Sequence, residues 1–518
     1  MKTLFRALTA VGLLVGFYVI AAGLGAGLVT LDVLMVASGH LGIGTVKLLA
    51  ISVPVIVTLA RGVFMIGARS HRDNDGEADG AYLVVEADQP ELWAAVRRIA
   101  AAVGTRAPDE IRLIPEGNAG VAEKTRMLGL IPGRRLMMIG TPLVAGLSEA
   151  ELDAVLAHEL GHYANRDTRL AGITYRGRTA IGHTLGQIAG SHGIDSFLAR
   201  IFRSYAKLYL RVSQEVCRRQ EYAADAASVR VAGAAATVSA LRRIAPLSTA
   251  WQFFQSRYVY SGVGQGFLPA DVMGGFVSFL AEPSRQAEMR EVAEETRPAK
   301  ASPYDSHPPL AERVAAIMNK TSDMPAEGAI PGRPARALLA DPERVLQDSF
   351  DSALNDRGRA LNRLPWEEFV HRTVRDSTAL SVGPLFAAAA AVSPDGPGRE
   401  GRGRLGTVLA VLETGGAALI GARLPGDPVK GDSQRVRDEL YRSRTRTALG
   451  LAVDLALADT GKARWVLSWS SPTHLVYAPG ITAEQLTAAL DAIVSRQPDA
   501  EPLRKILAEA GVPDTYEL

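Results

Sequence analysis

The stretch Ala157-His158-Glu159-Leu160-Gly161-His162-Tyr163 constrains this chain more than any other. Apolar residues at Leu152, Val155, Leu156 and Leu160 give it the spacing of a largely buried helix. Ser148, with Glu151 three residues later, makes a capping box and predicts where that helix starts. Histidines four apart lie one above the other on a single helix face. A buried helix bearing two imidazoles and a carboxylate must be met by polar partners from elsewhere in the chain. The same spacing lets His158 and His162 reach one Zn²⁺. Glu159 then lies beside the open coordination position, where a carboxylate can take a proton from a metal-activated water.

A catalytic zinc needs a third protein ligand. The segment Arg219-Gln220-Glu221-Tyr222-Ala223-Ala224-Asp225 places Glu221 and Asp225 on one face of a predicted helix. Alone, Glu221 reads as a surface ion pair with Arg218; beside the histidine pair it reads as the third ligand. Asp225 can accept the second ring N–H of a ligating histidine, fixing the tautomer and raising ligand basicity. Cys217, one turn before Glu221, is the single cysteine, so no internal disulfide is possible, and it reads as a small buried residue. His40, His71, His183, His192, His371 and His474 share no ligand spacing and read as ordinary polar or packing residues.

Elsewhere the chain sets the frame for this site. Its 518 residues are enough for about three domains. With 57 basic and 55 acidic residues the net charge is +2, which gives no electrostatic reason to expect nucleic acid as a partner. Leu8 to Leu31 carries no charge and is long enough to cross a bilayer; a second apolar segment runs from about Gly42 to Gly67. Together they predict a transmembrane hairpin over residues 1–70, with spans at about 8–31 and 42–67. Between Lys47 and Arg61 the second span has only the uncharged run Leu48 to Ala60, so those two side chains must snorkel to the interfaces. Gly12 and Gly16, then Gly23 and Gly27, have a spacing that permits close helix packing, although membrane helices are rich in glycine in any case. Lys2, Arg6, Arg61, Arg69 and Arg72 flank the outer ends of the hairpin. The positive-inside rule therefore predicts a multi-pass protein of the cell membrane with everything after residue 70 in the cytoplasm.

The expected fold class is α+β. After a polar linker at 72–80, short strands are predicted at Tyr82–Val85, Ile111–Ile114 and Arg135–Gly140, with a helix at Glu91–Val103. A long helix is expected from about Phe197 to Val231, with helical chain resuming near Ala234. Residues 80–319 then form a mainly helical zincin-type domain with a small sheet, 320–340 a Pro/Gly-rich linker, and 341–518 a separate α+β domain. In that last domain, Thr407–Leu412 and Arg464–Trp469 read as strands, and Asp341–Arg359, Trp366–Asp376 and Ala483–Ser495 as helices. No chemical motif is found there.

His158-Glu159-Leu160-Gly161-His162, Asn165-Arg166-Asp167, Glu221-x-x-x-Asp225 and Ser306-His307-Pro308-Pro309-Leu310-x-x-Arg313 occur in this order. Together they resemble the HtpX-like and CAAX prenyl endopeptidase family of membrane zinc metalloproteases, over roughly residues 80 to 318. The resemblance implies one Zn²⁺ per chain on His158, His162 and Glu221, with Glu159 as general base. It implies Asp225 as the group that orients a histidine and Arg313 as its structural partner. His307 would donate to the developing oxyanion, or else be a loop histidine fixed by its two prolines. Gly117-Asn118-Ala119 resembles the family's substrate-side strand, so Asn118 and Ala119 either contact substrate or make an ordinary turn. The implied activity is hydrolysis of peptide bonds in a protein or peptide substrate at the bilayer. The other reading is a zinc-stabilised membrane scaffold or sensor-transducer, whose carboxy-terminal domain binds a partner and gates or replaces proteolysis. The family usually has further spans between the histidine motif and the third ligand. Here Arg176, Arg178 and His183 make that stretch too polar.

Overall fold

The structure, a computed structural model, describes residues 2–37, 80–123, 133–164, 195–295, 308–320, 332–393, 404–426 and 433–517. It is mainly helical with small sheets, an α+β arrangement. Its contacts group into two compact units: Met1–Phe254 with Pro283–Arg359, and Gln255–Glu282 with Ala360–Leu518.

In the first unit, β1 (Tyr82–Leu83), β2 (Glu110–Ile114), β3 (Ala119–Glu123) and β4 (Arg135–Gly140) form one sheet in the order β1-β2-β4-β3. β2 and β4 are parallel, and the outer strands β1 and β3 run antiparallel to their neighbours. Ile111, Leu113, Met137 and Ile139 are fully buried. The helices are α1 (Lys2–Ala37), α2 (Pro90–Val103), α3 (Thr141–Gly146), α4 (Glu149–Ala164), α5 (Asp195–Phe254), α6 (Pro283–Glu295), α7 (Leu310–Met318) and α8 (Pro342–Ser352). Two tryptophans tie helix to sheet: Trp93 Nε1 donates to the Val84 carbonyl at 3.0 Å, and Trp251 Nε1 to the Pro115 carbonyl at 2.7 Å. α5 is broken at Gly233, whose φ of 84° is open to glycine and costly for residues with a Cβ, so two helices meet there as the sequence predicts.

The stretch expected as a linker is packed where it is described. Ala335, Leu338 and Leu339 are buried. Glu149 N donates to the Arg333 carbonyl and Ala335 N to the Leu147 carbonyl. α8 follows in the same unit, with Ser349 Oγ 2.7 Å from Thr141 Oγ1.

Among the described residues no helix is long and apolar enough to cross a membrane, so the expected hairpin is not found in the described fold. Its first segment is met as the helical backbone of α1, and its second lies outside the described residues, as does much of the side-chain surface of α1. Of the spaced glycines, Gly16 makes a close approach: a Cβ there would sit 2.6 Å from the Tyr205 hydroxyl, which donates to the Leu13 carbonyl at 2.6 Å. Among the described residues, a Cβ at Gly12, Gly23 or Gly27 would meet nothing within 4 Å outside its own helix backbone.

In the second unit, the strand Phe267–Pro269 pairs in parallel with Asn362–Leu364, and Ala463–Val466 pairs antiparallel with His474–Tyr477. The helix Val272–Ala281 lies against an aromatic group. Trp366 Nε1 donates to the Asp271 carbonyl at 2.6 Å, and a Cβ on Gly275 would sit 2.4 Å from that indole nitrogen. Phe279 meets Tyr258 and Trp469 edge-on. The strand expected at Thr407–Leu412 is a helix, Leu405–Glu413. It buries Leu405, Val408, Leu409 and Leu412, a helical spacing that a short apolar run hides.

Candidate metal centre

The site starts with the first turn of α4. The Ser148 amide donates to Glu151 Oε2 at 2.8 Å, and the Glu151 amide approaches Ser148 Oγ at 3.4 Å, so the expected capping box is present. Glu151 is fully buried and also accepts from Ser239 Oγ and Arg243 Nη1, each at 2.5 Å. Ser228 Oγ donates to the Ala154 carbonyl at 2.6 Å. These bonds fix α4 against both halves of α5. Sequence reading missed all three α5 residues, because a serine or arginine on a long helix carries no signal of what it faces.

Gly161 brings α4 and α5 close together. It lies between the two histidines, and a Cβ there would be 3.1 Å from both Ala224 Cα and Ala227 Cβ. This near-contact of helices lets Glu221 and Asp225, on the same face of α5 as Ala224, meet the histidines. Nε2 of His158 is 3.5 Å from Glu221 Oε2, and Nε2 of His162 is 3.8 Å from Glu221 Oε1. One ligand atom from each of His158, His162 and Glu221 lies within 4.8 Å of the others. Ligands held about 2 Å from one tetrahedral ion sit about 3.3 Å apart, so the set is close to closure around an ion.

Behind His158, Asp225 Oδ1 is 3.1 Å from Nδ1. Arg313 on α7 grips Asp225 with both arms: Nε to Oδ2 at 2.9 Å and Nη2 to Oδ1 at 2.5 Å. Arg313 Nη2 is also 3.3 Å from His158 Nδ1, and Nη1 is 3.6 Å from Glu221 Oε2. Asp225 and Arg313 are both buried. Burial drives the Asp225 carboxyl up, but the Arg313 and His158 hydrogen bonds outweigh it and hold Asp225 below its ordinary value. Burial likewise drives His158 down, and the bonds to Asp225 and Glu221 with the charge of Glu159 reverse this, pushing the imidazole up to about 9. The surroundings of His158 are thus built to stabilise positive charge. Glu159, Glu221 and Asp225 against Arg313 leave two negative charges, which one divalent ion balances. Two imidazole nitrogens and a carboxylate oxygen also suit a borderline ion such as Zn²⁺. By donor chemistry, spacing and charge, the residues fit the expected metal.

Asn118 directly precedes β3 and Ala119 opens it, at one edge of the sheet, and Asn118 Oδ1 accepts from the Ala119 amide at 2.9 Å. Cys217 is buried, as expected. His307 and Asp167 lie outside the described residues.

Residues 86–321 match the model of Peptidase family M48. The chain is 24% identical to the protease HtpX of Hahella chejuensis over 249 residues, covering 44% of this chain and 72% of that protein. It is 26% identical to HtpX of Xylella fastidiosa strain M12 over 263 residues, covering 46% and 76%. It is 27% identical to HtpX of Stenotrophomonas maltophilia over 265 residues, covering 47% and 77%. No solved structure matches the chain. The metal-suited cluster lies within the matched segment, and over residues 86–321 the chain is similar to the HtpX-like metalloproteases of peptidase family M48.

Proposed function

We propose that this chain is a membrane-anchored zinc endopeptidase acting on a protein or peptide substrate, with one ion on His158, His162 and Glu221. The observation that carries it is the convergence of these three ligands from α4 and α5 within 4.8 Å, with Asp225 and Arg313 buried behind them. Zinc, when bound, supplies a Lewis acid that acidifies water to a pKa of about 7 and polarises a carbonyl. Asp225 holds the His158 proton on Nδ1, which leaves Nε2 free to act as a ligand. Arg313 fixes Asp225 in that role. The Glu159 carboxylate takes a proton from water in the site and delivers it to the leaving amine. His307 donates to the substrate carbonyl oxygen as charge develops on it. Asn118 and Ala119 contact the substrate backbone at the open edge of β3.

The anchor is proposed on the uncharged run Leu8–Leu31 within one 36-residue helix and on the apolar segment 42–67. Flanking positive charges place the peptidase unit on the cytoplasmic side of the cell membrane. In isolated membranes, cleavage of an unfolded protein such as casein should remain with the pellet after an alkaline carbonate wash. It should be lost on chelation and return with one equivalent of zinc per chain. Release by carbonate contradicts the anchor, and indifference to chelation contradicts the metal.

A further inference from the structure

Tyr163, directly after the ligand His162, is used by nothing above, yet it joins the histidine helix to the edge strand. Its hydroxyl donates to the Val121 carbonyl at 2.5 Å. Val121 is the middle residue of β3, paired with Met137 of β4. The ring lies under the Arg135 guanidinium, 4.8 Å from its centroid. Arg135 is itself buried and held by Thr105 Oγ1 at 3.1 Å and the Arg106 carbonyl at 2.5 Å. One side chain therefore spans three elements: the last turn of α4, the start of β4 and the centre of β3. The inner strands β2 and β4 are held by ladder hydrogen bonds on both sides. Among the described residues β3, like β1, has a ladder on one side only, so a tether to its middle residue has more influence on where it lies.

We propose that Tyr163 is a positioning residue. Its hydroxyl fixes β3 relative to the His158–His162–Glu221 cluster, so that an extended peptide added along that edge meets Glu159 in register. Main-chain hydrogen bonds to an open strand edge are a general way to bind extended peptides, and their strength depends on where the edge is held. The proposal rests on the peptidase reading above. The role differs from plain stabilisation in what it changes: substrate capture at β3 should move, and the metal cluster should not.

The test is Tyr163→Phe in the full-length, zinc-loaded protein, which keeps the ring on Arg135 and removes the hydroxyl. KM should rise about fivefold, the factor equivalent to a net hydrogen bond of about 1 kcal/mol. The value of kcat should stay within about twofold, as expected when binding common to ground and transition states is lost. Zinc content should be unchanged. Amide hydrogen exchange at residues 119–123 should quicken, while exchange in the core of α4 should not. An unchanged KM would overturn the proposal. A lower KM would also overturn it, since the hydroxyl would then be blocking an acceptor that substrate needs. If the parent protein shows no zinc-dependent cleavage, the peptidase reading has failed on its own terms. Exchange at β3 needs no turnover and then decides the role of Tyr163: unchanged protection overturns it.

Discussion

The two units bury different kinds of residue. Among the described residues, the first unit buries the charged residues Asp32, Glu110, Arg135, Glu151, Asp153, Glu221, Asp225 and Arg313. The buried polar residues of the second unit are Thr373, Thr378 and Thr445, with no buried charge. Its core is apolar: a large cluster, mostly Leu, Val, Ala and Ile, between Val382 and Val512, and buried aromatics such as Phe276, Phe279 and Phe369; its arginines pair at the surface, as Arg464 does with Glu368. Burying charge is costly unless it is paired, so a fold concentrates it where chemistry needs it. The contrast separates a unit organised around a polar centre from one organised around packing.

The largest effect should come from cutting the second unit. Its helix Val272–Ala281 arrives from the middle of the chain, so removing residues 360–518 strips that helix of Trp366 and Trp469. Leu268, Val272, Phe276 and Phe279, all nearly inaccessible, would each lose up to about 1.5–3 kcal/mol of burial. The truncated chain should be poorly soluble and cut readily by an added protease within 255–282. A soluble, resistant 1–359 product would break the division drawn above.

The next effect contrasts two carboxylates. Glu151→Ala in the first unit should cost about 3 kcal/mol, because Arg243, Ser239 and the Ser148 amide lose a buried acceptor. Glu368→Ala in the second unit should cost less than about 1 kcal/mol, because its pair with Arg464 is exposed. Equal costs in denaturant unfolding would remove the distinction. Acid extends the same comparison. Burial drives Glu151 up, but the charge of Arg243 and the bonds from Ser148, Ser239 and Arg243 outweigh it and hold the group below 4.5. A group lowered in the folded state stabilises above its unfolded pKa and loses that contribution as pH falls through the folded one. The parent should therefore lose stability on acidification below about pH 4.5, and Glu151→Gln should lose less.

The centre was more legible than its surroundings. Ser148 and Glu151 marked the start of α4, two histidines and Glu159 marked its face, and Glu221 with Asp225 supplied a second helix at the right spacing, because each signal is local and periodic. Strands at Glu110–Ile114 and Arg135–Gly140 were readable for the same reason. What could not be read depends on distant contacts. Thr407–Leu412 is apolar enough for either a strand or a buried helix, and packing against its neighbours decides for the helix. The excursion of residues 255–282 into another core leaves no local mark, nor does Arg243 meeting Glu151. Arg313 came with a family resemblance, but its double grip on Asp225 is visible only in three dimensions.

The most direct measurement is metal content and peptide cleavage in parallel for the parent and Glu159→Gln. The account predicts one zinc per chain in both, with cleavage by the variant reduced about 10²- to 10⁴-fold, the contribution expected of a general base. A variant that cleaves at the parent rate, or a parent that cleaves without metal, would contradict it.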